Sequence, residues 1–280
     1  MRLFVIWWLL TMACCRPGMA GAELRFLPDQ EPQRVFGGEA RQIAVVWHND
    51  SGQNFEGEIH ARILQSSSAT VVPLGESRWK QLQVLPQQTI LESATLDFPA
   101  VKTETKFFIQ WLENTNRVVG TTEVLVYPTN LLAELKPLLN GQNIGVLDPA
   151  NELKPLLRQN SVTYLDLGEQ SLENFSGTLA VLGPFTSKAQ MPSDLIKCCK
   201  TMAKKNVAVV WIQPPTDGYD KLQPSFYTVS SGTNAIVVVV QAGFVACLAE
   251  HPQSQQRLMQ LCRLALNSEP AALPAFYTQP

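Results

Sequence analysis

Cysteines come first among the residues able to do chemistry, because a thiolate is at once nucleophile and metal ligand. The chain has six. Cys14 and Cys15 lie in an N-terminal apolar run, and Cys198, Cys199, Cys247 and Cys262 fall in the C-terminal half. There is no CxxC pair and no cysteine–histidine spacing of a zinc site, so no metal ligands are expected. Adjacent cysteines rarely bond each other, while Cys247 and Cys262 could pair in an oxidising compartment; spacing does not fix a connectivity. The simplest expectation for all four is that of small apolar side chains inside helices.

Carboxylates offer the next chemistry. Asp148, Asp166 and Asp217 follow apolar, strand-like segments, and open parallel sheets bind ligands at such ends. A glycosidase would need two of them across a cleft. Asp148-Pro149, however, reads as the N-cap and first residue of a helix, and Asp166 begins a turn with Leu167-Gly168. The same strand ends carry Gly183-Pro184, Gln213-Pro214-Pro215 and Gln241. Asp148, Asp166, Gln213 and Gln241 are therefore the candidate ligand-binding residues of this rim, and no catalytic set is identified. No GxGxxG, GxxxxGK[ST] or GxSxG motif occurs, so no cofactor is expected from the nucleotide-binding or hydrolase patterns.

Trp47, Trp79 and Trp111 could form a sugar-stacking set. Two of them fall in phase with a buried face, which favours core packing. His48 and His60 fall on the opposite, wetter face.

The elements that position these residues change character at Tyr127-Pro128-Thr129-Asn130. Before it, alternation with a period of two recurs: Ile43, Val45 and Trp47; Ile59, Ala61 and Ile63; Phe107, Ile109 and Trp111; Val118, Val124 and Val126. Turn residues intervene at Gly37-Gly38, Asn49 to Gly52, Gly75 and Asn114 to Asn116. Such a pattern predicts strands buried on one side, and an all-β sandwich over residues 23–128. After the boundary, Thr129 or Asn130 is placed to cap a helix. Apolar segments at 143–147, 162–167, 178–182, 207–212 and 235–240 then alternate with helical ones. The helix at 192–205 has Leu195, Ile196, Cys199, Met202 and Ala203 on its apolar face; that at 252–266 has Leu258, Leu261, Cys262 and Ala265. Residues 226–230 and 235–240 read as a hairpin. This predicts a three-layer α/β domain with a mostly parallel sheet over residues 129–266, followed by a tail at 267–280.

Composition narrows the partners. Hydrophobic residues make up 45% of the chain, enough to build a core. Residues 23–128 carry nine basic and thirteen acidic side chains, and residues 129–280 carry eleven of each. Neither half is basic, which argues against a nucleic-acid surface. Lys197, Lys200, Lys204 and Lys205 read as the wet side of one helix.

At the N-terminus, Arg2, the apolar run Leu3 to Cys15 and Ala20-Gly21-Ala22 have the form of a secretory signal peptide spanning residues 1–22. Cleavage after Ala22 would export the chain to the periplasm or the extracellular space. Cys14 faintly matches a lipoprotein cleavage box, with Thr11 where that box has Leu. No later segment has the roughly 20 apolar residues of a membrane span.

The strand–helix rhythm of residues 142–266 resembles flavodoxin-like and class I glutamine amidotransferase-like domains, which follow Ig-like sandwiches in some exported bacterial proteins, glycosidase-associated ones among them. In the amidotransferases a cysteine nucleophile sits on a Gly-flanked turn after a strand, with a His-x-Glu partner near the domain's end. Here Gly183-Pro184-Phe185-Thr186 follows the third strand, and His251 precedes Pro252. The resemblance thus implies a degenerate, non-catalytic member: an exported binding or scaffolding protein with a protein or glycan partner. Two alternatives stand beside it, an accessory module of carbohydrate-active machinery and a hydrolase or transferase of unrecognised type.

Overall fold

The structure, a computed structural model, describes residues 24–67, 69–214, 226–230 and 236–266. The signal-like segment, Asp217 and the tail at 267–280 lie outside these residues.

Eight strands precede Pro128: β1 (Leu24–Leu27), β2 (Gln33–Phe36), β3 (Ala40–Asn49), β4 (Phe55–Ser66), β5 (Val71–Val84), β6 (Thr89–Asp97), β7 (Thr105–Glu113) and β8 (Arg117–Tyr127). They form a three-stranded sheet, β1-β3-β6, and a five-stranded sheet, β2-β8-β7-β4-β5. Pairing is antiparallel except between β2 and β8. One core joins the two sheets: Ile43, Val45, Trp47, Ala94 and Leu96 from the first meet Ile59, Ala61, Phe107, Ile109 and Trp111 from the second. The alternation read from the sequence is this inner face. Trp47 and Trp111 are fully buried. Their rings lie edge to face at 6.0 Å, and Trp79 packs at 5.0 Å from Trp111 and 6.3 Å from Trp47. Trp111 Nε1–H donates to Thr122 Oγ1 at 2.9 Å, which satisfies one buried indole. Trp47 and Trp111 are core residues, and the partly buried Trp79 packs against them.

Three register shifts break the simple phase, one of them between Ile59 and His60 on β4. Trp111 faces Gly120 and Leu112 faces Val118, so Val119 is the extra residue on β8. The phase of β8 flips there: Val124 and Val126 are buried, but Val118, expected on the same face, is 49% exposed, and Val119 packs on the core instead. The third lies between Ile63 and Leu64, opposite Gly75 and Pro73. Gly75, expected in a turn, is therefore inside the long strand β5. The Asn114 turn is as expected: Asn114 and Thr115 both adopt positive φ, 48° and 67°, as a tight hairpin with the twist of its strands requires.

The second unit has strands β9 (Ile144–Leu147), β10 (Tyr164–Asp166), β11 (Leu179–Leu182), β12 (Ala208–Gln213), β13 (Phe226–Ser230) and β14 (Ile236–Gln241). They make one sheet in the order β10-β9-β11-β12-β14-β13, parallel except for the β13–β14 pair. Its helices are α1 (Leu135–Leu139), α2 (Leu153–Gln159), α3 (Leu195–Lys204) and α4 (Pro252–Leu266). Helices α1, α2 and α4 share a core with Ile144, Val146, Val181, Val210, Ile212, Val238 and Val240. Helix α3 covers the other face through Ala180, Leu182, Val209, Trp211 and Val239. A sheet apolar on both sides needs both coverings, which explains its unbroken apolar strands.

Three local expectations are corrected. Asn130 occupies a cap position but makes no side-chain cap bond, and the chain enters α1 through a 3-10 turn at Leu131–Glu134. On α3 the buried neighbour of Leu195 is Cys198; Ile196, expected on the apolar face, is 59% exposed. The helix after Asp148 begins at Leu153 rather than Pro149. Among the described residues no helix is long and apolar enough to cross a membrane.

Candidate functional site

The rim residues stand where the sequence suggested, at the carboxyl ends of the parallel strands, and the side chains of the two aspartates are engaged. Asp148 follows β9 and is buried. Its carboxylate accepts from the backbone N–H of Glu152 (3.2 Å), Leu153 (2.8 Å) and Lys154 (2.9 Å). It caps α2 from four to six residues away, reaching across the turn at Pro149–Asn151. The capping role holds, while the helix start inferred from Pro149 does not. Asp166, at the end of β10, pairs with Lys154 Nζ at 2.6 Å and accepts from Gly168 N at 2.9 Å. The bond with Lys154 holds its carboxyl below the usual carboxylate range, against the opposing effect of burial.

Gln213 and Gln241 are register partners at the ends of β12 and β14. Asp148 follows β9 and Asp166 ends the neighbouring β10, so the four form two pairs on either side of β11. Between them Gly183 (φ +107°) donates its N–H to Leu147 O at 2.7 Å, and Phe185 is fully buried. A Cβ on Gly183 would lie 2.4 Å from Ile212 O. The main chain therefore ties β11 to β9 where the sheet order reverses, and Phe185 packs into the core on the α3 face.

Cys198, Cys199 and Cys262 are buried in helices, as expected for small apolar side chains. Burial pushes the Cys199 and Cys262 thiols up to about 12 and raises that of Cys198, so thiolate is suppressed at all three. Cys247 differs. It is exposed, lies outside the helices and has φ +53°. Cys247 and Cys262 are both free thiols.

Cys247 belongs to a turn that the sequence reading did not single out. Its carbonyl accepts from the N–H groups of Glu250 and His251, both at 3.0 Å. The turn gathers the donor atoms of Cys247, Glu250 and His251, all exposed, within 4.8 Å of one another. The available signal was the run Cys-x-x-Glu-His just before α4.

His251 and Glu250 also line a cleft of roughly 490 Å³ where the two units meet, opposite Glu31, Arg34 and Arg41. An adjoining cleft of roughly 410 Å³ is lined by Arg34, Glu104, Tyr127, Gln256 and Arg257. At its floor Tyr127 is buried, and its hydroxyl meets the side chains of Glu104 and, from α4, Gln256. Burial first, and the Glu104 carboxylate second, push this phenol up to about 12. Arg257 stacks 4.7 Å from the Phe244 ring centroid.

No protein-family model matches the chain. No curated protein matches it either. Among solved structures, an alkylpurine DNA glycosylase of Pseudomonas fluorescens bound to DNA with an abasic-site analog is similar over 38% of this chain and 31% of its own, at 13% identity and a TM-score of 0.30. A β-glucosidase of Listeria innocua in complex with gluconolactone is similar over 38% of this chain and 16% of its own, at 13% identity and a TM-score of 0.29. The GH3 β-glucosidase of Bifidobacterium adolescentis is similar over 38% and 17%, at 9% identity and a TM-score of 0.27. The chain thus spans a third or less of the length of these proteins. Likeness at this level carries no functional weight.

Proposed function

We propose that the chain is an exported, non-enzymatic binding or scaffolding protein, built from an Ig-like β-sandwich (residues 23–128) and a degenerate flavodoxin-like or amidotransferase-like α/β domain (residues 129–266). The observation that carries this reading is the state of the sheet's carboxyl edge. Asp148 is saturated by three backbone N–H groups and Asp166 by Lys154 and Gly168. Neither is placed to exchange a proton with a substrate, which catalysis at this edge would require. The strand order supports the ancestry: numbered along the chain, the five parallel strands run 2-1-3-4-5, the flavodoxin-like order. The position where the amidotransferases carry their cysteine holds Gly183-Pro184-Phe185.

The test has two arms. Tagged protein purified from the envelope fraction of its native host should retain one macromolecular partner in fixed ratio through a salt wash, and should hydrolyse neither glutamine nor chromogenic glycosides. Turnover that Asp166→Asn abolishes without loss of folding would establish an enzyme and end the scaffold reading.

A further inference from the structure

Two clusters of metal-ligating side chains stand out among the described residues: Glu173, Asp194 and Cys198, and Cys247, Glu250 and His251. The first is internally engaged. Glu173 pairs with Lys197 at 3.1 Å, and the buried Cys198 thiol donates to Asp194 at 3.6 Å. A cation there would have to displace a lysine and strip a proton from a shielded thiol. The second is open: all three residues are exposed, and among the described residues their side chains make no hydrogen bond or ion pair.

We propose that Cys247, Glu250 and His251 form a binding site for a zinc-class divalent transition-metal ion. Sulfur, carboxylate oxygen and imidazole nitrogen are the donors such ions take together, whereas magnesium and calcium prefer oxygen alone. A thiolate and a carboxylate with one neutral imidazole cancel the charge of a divalent ion, and both anions suit the positive N-terminal end of α4, which starts at Pro252. Tetrahedral bonds of 2.0–2.3 Å put ligand atoms roughly 3.3–3.8 Å apart. The donors, within 4.8 Å of one another, close to that spacing by modest side-chain rotation. The turn already fixes their backbones, through the two N–H bonds to Cys247 O. Three protein ligands leave a fourth position for water or a further donor, at a turn whose Glu250 and His251 line the cleft between the units. This site stands apart from the scaffold reading: either holds if the other fails.

The test is titration of the full chain with Co²⁺ alone, in a non-thiol reductant, followed by competition with Zn²⁺. One equivalent should bind with a thiolate-to-cobalt charge-transfer absorption that Zn²⁺ removes. Cys247→Ser should abolish that absorption. His251→Ala should weaken binding by more than the about 10–100-fold that loss of an outer-shell partner costs. Circular dichroism checks folding, and should Cys247→Ser fail to fold, His251→Ala and Glu250→Gln carry the comparison. Absence of the absorption overturns the assignment. So does absorption that survives Cys247→Ser or disappears with Cys198→Ser, which would move the site to the other cluster.

Discussion

Asp148 stands at a strand end, and its carboxylate is committed to the backbone of the next helix. Three N–H groups near the start of α2 share its carboxylate, two of them on Oδ2. Asp148→Ala is expected to cost about 2 kcal/mol, the upper end of N-cap losses, because three backbone donors, the buried Leu153 N–H among them, lose their acceptor together. Urea denaturation measures this; a variant of unchanged stability that had lost a partner would place Asp148 in a site instead. Tyr127 makes a pH statement. Its phenol titrates near 12 in the folded chain, against about 10 when unfolded. The folded state holds the proton more tightly, so the contribution is complete below about pH 10 and drains away as pH rises towards 12. Tyr127→Phe should flatten the fall in stability between about pH 10 and pH 12; an unchanged slope would mean that other groups carry it.

Strand exits and bulges decide the element scale. Gly183 leaves β11 at φ +107°, with Ile212 O where a Cβ would sit, whereas Gly52 has open space around it. Gly183→Ala should lose about 1–3 kcal/mol, the cost of a residue held in a sparsely populated backbone region, or more because of the clash. Gly52→Ala should be near neutral, and thermal unfolding of the two side by side decides the matter. Local patterns were legible where they act locally. Period-two runs located β3, β4 and β7, the apolar segments located β9 to β12, and the period of α4 was read with its buried face intact. What periodicity misses is a one-residue insertion: Val118 was assigned inward because nothing in its neighbours marks Val119 as the extra residue. The start of α2 was misread for a related reason, since Asp-Pro signals a cap without saying how far the side chain reaches. The Cys247 cluster leaves no mark in zinc-like spacings, which run between paired cysteines and histidines; here one turn brings three different ligand types together.

For the whole molecule, the question is how far the two units depend on each other. The core of the β unit lies entirely within residues 24–126. Leu131 from the following segment packs with Phe36 and Tyr127, and α4 touches β2. A fragment of residues 23–128 is therefore expected to fold by itself, but with lower stability than the same unit in the full chain. The deficit should be at most about 3 kcal/mol, the value of burying one large apolar side chain. Dispersed amide resonances and a cooperative melt would bear this out; a collapsed spectrum would show that the α/β unit is needed as a template.

Strand β5 closes the five-stranded sheet on one side, and its far end exposes Val71, Val72 and Leu74. A long apolar strand with unpaired amides invites another chain to add to it. The slip in register falls in this same stretch, and Pro73, which has no N–H to offer, sits within it. The irregularity that flips the side-chain phase thus also interrupts the template that an added strand would need along this apolar margin.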